Sequence, residues 1–122
     1  ISVRRGNKDS HIKCMHKARY WLSEGISIVI SPEGTRSKDG TIGEFKSGFA
    51  KLAIEFGLPI LPISIYGARN ILPKGSWVFP KNNGVKVYVG APIDSNEYTL
   101  QAKDILKEKV RNIMIENFNK LI

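Results

Sequence analysis

A short run of polar and flexible residues has the residue types that bind a phosphate group. The run is Glu33, Gly34, Thr35, Arg36 and Ser37, and it follows an apolar stretch at residues 26–30. Glycine lets the backbone turn sharply and approach a ligand closely, and an arginine guanidinium presents two parallel donors to phosphate oxygens. The two hydroxyls add donors, and the carboxylate of Glu33 can brace an arginine or accept a hydrogen bond from a substrate hydroxyl. Together these residues fit a phosphate cradle.

The same composition also fits a plain turn between a strand and a helix. From composition alone a turn is the commoner case. The run is not a nucleotide P-loop, because the Gly-x4-Gly-Lys-Ser/Thr spacing is absent. The choice between a cradle and a turn therefore depends on the elements around the run.

Those elements alternate between helix and strand. Apolar periodicity predicts helices at residues 10–22, with Ser10 as the N-cap, at 47–56 and at 100–121. The last helix is expected to bury Ile105 or Leu106, then Val110, Ile113, Met114 and Phe118. Strands are predicted at 26–30, 60–66 and 85–89, with a further short strand at 77–79.

This order of elements predicts the fold class. Strands separated by helices indicate an α/β fold, with a largely parallel or mixed sheet flanked by helices. A length of 122 residues fits a single domain. In such sheets ligands bind beyond the carboxyl ends of the strands, which singles out the loops after Ile30 and Tyr66.

Composition and charge narrow the function classes. No apolar run approaches the roughly 20 residues of a membrane span, and one cysteine excludes an internal disulfide or a multi-cysteine metal site. The formal net charge of +8 favours phosphorylated partners, among them nucleic acid, anionic lipid head groups and phosphorylated metabolites, and it also fits a solvated basic surface. Nucleic-acid binding is disfavoured, because the basic residues are not interleaved with aromatic side chains at a stacking spacing.

The run at residues 32–37, Pro-Glu-Gly-Thr-Arg-Ser, resembles the third conserved block of the glycerolipid acyltransferases, whose best-known members acylate 1-acylglycerol 3-phosphate. Three further segments agree with this family in order and spacing. They are residues 2–5 (Ser-Val-Arg-Arg) for the second block, 45–48 (Phe-Lys-Ser-Gly) for the motif after the third, and 58–63 (Leu-Pro-Ile-Leu-Pro-Ile) for the fourth. The resemblance covers about residues 1–70 and implies part of that family's α/β domain.

The resemblance also implies roles for individual residues. Arg5, or Arg4 if the register slips by one, and Arg36 are implied to hold the phosphate of the acceptor, with Glu33 in the acidic position of the third block. Pro62 and Ile63 are implied to line the acceptor or acyl pocket. For these two, a buried strand preceded by a proline is the commoner reading.

The catalytic base of that family is not apparent in this sequence. The family pattern is His-x4-Asp, in which the histidine removes a proton from the acceptor hydroxyl. Here His16 stands where the pattern requires an aspartate after His11. Trp21 stands at the corresponding position after His16. The two histidines are also about 140° apart around a helix, so we expect both at the surface or in helix packing. Cys14 is expected to be a small helix residue, since no partner pattern supports a nucleophile.

Because the first block precedes the second in that family, the resemblance implies that the base lies upstream of Ile1. The chain is then expected to be a fragment that is inactive by itself and leaves apolar surface exposed. The implied acyl donor is acyl-CoA or acyl carrier protein, with no bound cofactor and no metal. The implied partners are a lysophospholipid and an anionic membrane surface on the cytoplasmic side, reached as a peripheral protein or through a segment outside this chain. The alternative is a non-catalytic module that binds phosphate or anionic lipid.

Overall fold

The computed structural model describes residues 7–35, 37, 39–71 and 84–122. Its elements are α1 (Lys8–Ser23), α2 (Gly48–Phe56), β1 (Ile63–Tyr66), α3 (Ala68–Ile71), β2 (Lys86–Val89), a 3-10 turn (Leu100–Ala102) and α4 (Lys103–Asn119). They group into two compact units that divide between Ser31 and Pro32. Among these helices none has both the length and the apolar composition needed to cross a bilayer.

Helices and strands are both present, and the sheet of the described residues is a two-stranded antiparallel pair of β1 and β2. The largely parallel or mixed sheet and the single domain over the whole chain remain predictions. The predicted short strand at 77–79 lies outside the described residues.

The helix of the first unit begins earlier than predicted. Asn7, not Ser10, is the N-cap, because its side-chain oxygen accepts from the backbone N–H of Ser10 at 3.1 Å. Asparagine is among the strongest N-cap residues, and its bond to the third helical N–H removes one of the unpaired donors of the first turn. The prediction of Ser10 as the N-cap was therefore wrong, by one helical turn.

The same helix ends where the sequence places a glycine. Gly25 has a φ of 77°, and its N–H donates to the carbonyl of Leu22 at 3.0 Å. The N–H of Ile26 returns to the carbonyl of Trp21, also at 3.0 Å. This pair of bonds is a Schellman motif, which satisfies carbonyls that the helix leaves unpaired.

Residues 26–30 form no strand in this structure, which corrects the prediction. They have no regular secondary structure, and Val29 is 96% exposed. An apolar run becomes a strand only when a neighbouring strand pairs with its N–H and C=O groups. The part of the chain that the structure describes provides no such neighbour for this run.

The core of the second unit lies between α2 and α4. Its buried cluster is Phe45, Ala50, Ile93, Leu106 and Val110. Leu106 and Val110 lie one turn apart on α4, so both point to the same side of that helix. Of the two predicted alternatives Leu106 is the buried one, with no exposed surface, whereas Ile105 is 66% exposed.

The helix α2 matches the prediction at both ends. It starts after Ser47, and Gly57 ends it with a φ of 61°. The buried hydroxyl of Ser95 lies 3.0 Å from the carbonyl oxygen of Ala53 and 2.7 Å from that of Leu58. These contacts join the end of α2 to the chain that leads into α4.

The strand predicted at 60–66 is shorter than expected. Pro62 has no N–H to donate to the chain opposite it, so the ladder with β2 begins only at Ile63. Before it, Ile60 makes an isolated bridge with Ile93, with N···O distances of 2.9 and 2.8 Å. The strand predicted at 85–89 is confirmed as β2.

One face of this two-stranded sheet packs on α4. The hydroxyl of Ser64 donates to the carbonyl of Met114 at 3.0 Å, and the ring of Tyr66 lies 5.6 Å from that of Phe118. Side chains alternate between the two faces of a strand, so Ile63 and Ile65 point to the opposite face.

That opposite face is apolar and exposed. It is formed by the cross-strand pairs Ile63–Val89 and Ile65–Val87, whose side chains are 40 to 60% exposed. Antiparallel sheets with one solvated face usually place polar residues there. The face is therefore apolar surface of the kind expected from the sequence.

The adjacent pair Ile105 and Leu106 tests the core assignment. We expect Leu106→Ala to lower the free energy of unfolding by about 2 to 5 kcal/mol, because it leaves a cavity at a fully buried position. Ile105→Ala is the matched control and should change it by about 0.5 kcal/mol or less. Urea denaturation followed by circular dichroism measures both, and equal losses would contradict the orientation of α4.

Candidate functional site

The predicted phosphate-binding run lies in a closed loop, residues 32–46, here called the 32–46 loop. The carbonyl of Pro32 accepts from the backbone N–H of Lys46 at 2.9 Å, which joins the two ends. The Oε2 atom of the partly buried Glu33 accepts from the backbone N–H of Gly43 at 2.9 Å. Two bonds thus tie the residues directly before Gly34 to the closing part of the loop. Glu33 acts as a brace of the loop, by a contact that the sequence did not indicate.

Gly34 occupies a conformation that favours glycine. Its φ is 64°, in the left-handed region. A Cβ atom built there would lie 3.4 Å from both Cε and Nζ of Lys46. The side chain of Lys46 therefore lies across Gly34, with its ammonium group beside the backbone of the predicted cradle.

The last helix holds the far side of the loop. Arg111 of α4 donates from Nε to the carbonyl of Gly43 at 2.8 Å, and from Nη2 to that of Ile42 at 3.3 Å. The sequence pattern does not predict this contact, because a single arginine on an amphipathic helix has the pattern of a solvated residue. Its partners lie 68 and 69 positions away. Arg111 therefore attaches the loop to the core of the second unit.

A compact turn follows the predicted run. The carboxylate of Asp39 accepts from the backbone N–H and the hydroxyl of Thr41, at 3.0 and 2.7 Å. The hydroxyl of Ser37 lies 3.1 Å from the same carboxylate oxygen and 2.8 Å from the carbonyl of Thr41, and it accepts from the N–H of Gly40 at 2.9 Å. Ser37 therefore makes its contacts within the loop itself.

These donors stabilise the ionised form of the carboxylate. They lower the pKa of Asp39 from 3.8 to about 2, with the backbone N–H of Thr41 as the largest cause, followed by its hydroxyl and that of Ser37. Hydrogen bonds to a carboxylate favour its charged form, so the turn carries a fixed negative charge near neutral pH.

The structure brings part of the predicted site together. Glu33, Gly34, Thr35 and Ser37 share the 32–46 loop, and Thr35 is exposed. The other predicted phosphate ligands, Arg4, Arg5 and Arg36, lie outside the described residues. Their convergence on one phosphate therefore stays a prediction.

The two predicted pocket residues are placed differently from each other. Pro62 is fully buried, and its carbonyl accepts from the N–H of Gly90 at 2.9 Å. Ile63 begins β1 and is 40% exposed on the apolar face of the sheet. Pro62 fits the alternative of a buried residue before a strand, and a role in an acyl or acceptor pocket stays a prediction for both.

The remaining candidate side chains lie on α1. His11 and His16 are both exposed, as expected, and Cys14 is a free, partly buried thiol. In the described ranges, no group of three or more His, Cys, Asp and Glu residues is close enough together to hold a metal ion.

The sequence matches a known family over much of its length. The family model described as Acyltransferase matches residues 1–66, which is just over half of the chain. The chain therefore belongs to the acyltransferase family, as the resemblance of its motifs indicated.

Individual relatives within this family have more specific names. The chain is 32% identical to the chloroplastic 1-acyl-sn-glycerol-3-phosphate acyltransferase BAT2 of Brassica napus, over 98% of this chain and 33% of that protein. It is also 32% identical to the 1-acyl-sn-glycerol-3-phosphate acyltransferase of Borreliella burgdorferi, over 95% of this chain and 46% of that protein. The chain thus spans about a third to a half of the length of these relatives.

A solved structure agrees with the sequence comparisons. The crystal structure of the 1-acyl-sn-glycerophosphate acyltransferase PlsC from Thermotoga maritima superposes with a TM-score of 0.80 at 30% identity. The match covers 88% of this chain and 43% of PlsC. The described fold is therefore similar to a part of that enzyme.

The lowered pKa of Asp39 predicts how the stabilisation from this turn depends on pH. The folded pKa lies below the ordinary value, so the stabilisation from this carboxylate is present above pH 3.8 and is lost as the pH falls through about 2. We expect the side-chain carboxyl carbon of Asp39 to titrate near pH 2 by NMR. Thr41→Val removes one donor and should raise the midpoint towards 3.8, whereas the control Thr99→Val should leave it unchanged. A wild-type midpoint near 3.8 would contradict the turn.

Proposed function

We propose that the protein carrying this chain transfers a fatty acyl group from an acyl thioester to the free hydroxyl of 1-acylglycerol 3-phosphate, and that this chain supplies the phosphate-binding part of the site. The product is phosphatidic acid. The observation that carries the proposal is the braced 32–46 loop, whose residues match the family's third block. The names of the relatives in plants, bacteria and the solved structure support the choice of acceptor.

The contacts of the loop support a phosphate ligand. Glu33 accepts from the backbone N–H of Gly43, and Arg111 donates to the carbonyls of Gly43 and Ile42, so this side of the loop is held in place before an anion binds. At Gly34 the missing Cβ leaves room for the side chain of Lys46, whose Cε and Nζ lie 3.4 Å from the position that a Cβ would take. The formal net charge of +8 favours a dianionic acceptor over a neutral one. In this proposal Arg36 and Arg5, or Arg4, are the arginine ligands, and Thr35 lines the cradle with Ser37, whose hydroxyl is bonded within the turn at Asp39.

The chemistry itself needs a group outside the described site. A general base removes the proton of the acceptor hydroxyl, the resulting oxygen forms an ester bond with the acyl carbon, and the carbon–sulfur bond of the thioester breaks to release a thiol. We assign the base to a histidine of a His-x4-Asp pattern ahead of Ile1. Acyl-CoA or acyl carrier protein is the proposed donor, and the reaction requires no bound cofactor or metal.

The acceptor partitions into bilayers, so we propose that the protein works at a membrane surface. A basic protein surface is attracted to anionic lipids. The proposed place is the cytoplasmic side, as a peripheral protein or through an anchor outside this chain.

A second candidate is a non-catalytic module that binds phosphate or anionic lipid. Both histidines of α1 are exposed, and neither belongs to a His-x4-Asp pattern. For this chain taken alone, these two observations favour the binding module. A His-x4-Asp pattern in the gene upstream of Ile1 would favour the enzyme, and its absence from the whole protein would favour the module.

Arg36→Ala in the whole protein tests the phosphate cradle. We expect the loss of about 1.5 to 3 kcal/mol of acceptor binding, the range for a hydrogen bond to a charged group. Arg36→Lys should recover only part of the loss, because an ammonium cannot bond two phosphate oxygens with a planar fork. Steady-state kinetics with lysophosphatidic acid measures both, and an unchanged KM and turnover in Arg36→Ala would refute the assignment.

The isolated chain tests the location of the base. We expect residues 1–122 alone to transfer no acyl group to lysophosphatidic acid, because a general base must lie about 2.6 to 3.2 Å from the acceptor hydroxyl or one water away. The comparison is the whole protein at equal concentration. Comparable turnover by the isolated chain would place the base within it.

A further inference from the structure

We propose that Lys46 is a further ligand of the acceptor's phosphate, beyond the arginines that the sequence motifs supply. The inference rests on the proposed function for the identity of the ligand. It is carried by the position of the Lys46 side chain over Gly34 and by the lack of any described side chain that pairs with its ammonium group.

The position of Lys46 is set by the fold of the loop. Its backbone N–H bonds to the carbonyl of Pro32 at 2.9 Å, so the root of the side chain is fixed opposite the start of the predicted cradle. From there the side chain reaches back until Cε and Nζ are both 3.4 Å from the point where a Cβ of Gly34 would lie. The ammonium group is therefore beside the peptide units that a bound phosphate would approach.

Within the part of the chain that the structure describes, no acid pairs with the charge of Lys46. The acid next to Gly34 in the sequence is Glu33, and its carboxylate accepts a hydrogen bond from the backbone N–H of Gly43. Among the contacts of the described residues, no salt bridge or hydrogen bond engages the Lys46 ammonium, whereas Lys107 pairs with both Asp104 and Glu108. An uncompensated ammonium beside a rigid backbone turn is suited to a phosphate, which lysine binds as a point charge.

The other described cations that contact the loop are placed differently. Arg111 donates to two backbone carbonyls and so holds the loop. Arg69 lies beside Gly40, with Nη1 at 3.7 Å from the position of a Cβ there, in the turn that carries the ionised Asp39. Lys46 is the one of these three that faces Gly34.

Substitutions of Lys46 in the whole protein separate charge from packing. Lys46→Met keeps the length of the apolar stem, and we expect it to raise KM for lysophosphatidic acid about 10- to 100-fold, by more than it changes kcat. Lys46→Arg should restore most of the affinity. Lys51→Met is the matched control, since it removes the same charge from the middle of α2, and its KM should stay close to that of the wild type. A wild-type KM in Lys46→Met would overturn the inference.

A binding measurement separates this inference from the proposed function. Titration calorimetry of inorganic phosphate and of glycerol 3-phosphate into the wild type, Lys46→Met and Lys51→Met needs no acyl transfer. Weaker binding of both ligands in Lys46→Met alone supports the ligand role even if the wild type transfers no acyl group, in which case only the proposed function fails. Equal binding in all three proteins, or no binding to the wild type, would overturn it.

Thermal unfolding of each variant checks the fold. Lys46 is exposed, so Lys46→Met is expected to unfold at the temperature of the wild type. Lys46→Gln serves as a second neutral variant if the methionine protein fails to fold, with the same expected loss of phosphate affinity.

Discussion

The burial of Leu106 and Val110 on α4 is the interaction on which the second unit depends. These two residues fill the cluster with Phe45, Ala50 and Ile93, and the same helix carries the carbonyl that accepts from Ser64 of β1. Arg111 directly follows Val110, about 100° further around the helix, so the packing of the apolar stripe also sets the direction of the guanidinium. From that direction it reaches the carbonyls of residues 42 and 43. Core packing and the position of the candidate site are therefore consequences of one helix orientation.

The 32–46 loop is held by hydrogen bonds at its polar residues and by the burial of Phe45 in the core cluster. Glu33 and Arg111 satisfy donors and acceptors of neighbouring peptide groups, and Asp39 organises the turn between them. Groups that are fixed before a ligand arrives need little reorganisation when charge approaches, which is the basis of electrostatic preorganisation. The carboxylate of Glu33, the acid of the third block, is thus bonded to the backbone of Gly43.

Local signals explain what the sequence predicted well. Gly25 and Gly57 end α1 and α2, and the apolar period identified the stripe of α4 but left Ile105 and Leu106 as alternatives. Asn7 was missed because two good N-cap residues lie three positions apart, and the competition between them is decided by a single hydrogen bond. The run at 26–30 was misjudged because a strand depends on a partner elsewhere in the chain. Glu33 was identified as a site residue, but its bond to Gly43 and the reach of Arg111 are non-local and leave no trace in the pattern.

In the proposed function this chain binds the acceptor's phosphate, and a base outside the described site removes the proton. This separation follows from the chemistry of the acceptor. Its phosphate does not react, and a contact that is equally strong in the ground state and the transition state lowers KM without raising kcat. The energy of such a contact assists the reaction only by holding the hydroxyl in place for the base and the thioester. A rigid loop meets this need better than a mobile one, because a displacement of the phosphate is carried through the glycerol backbone to the reacting oxygen. Under the proposed function, the bonds from Glu33 and Arg111 therefore serve the reaction although neither group needs to contact the reacting atoms.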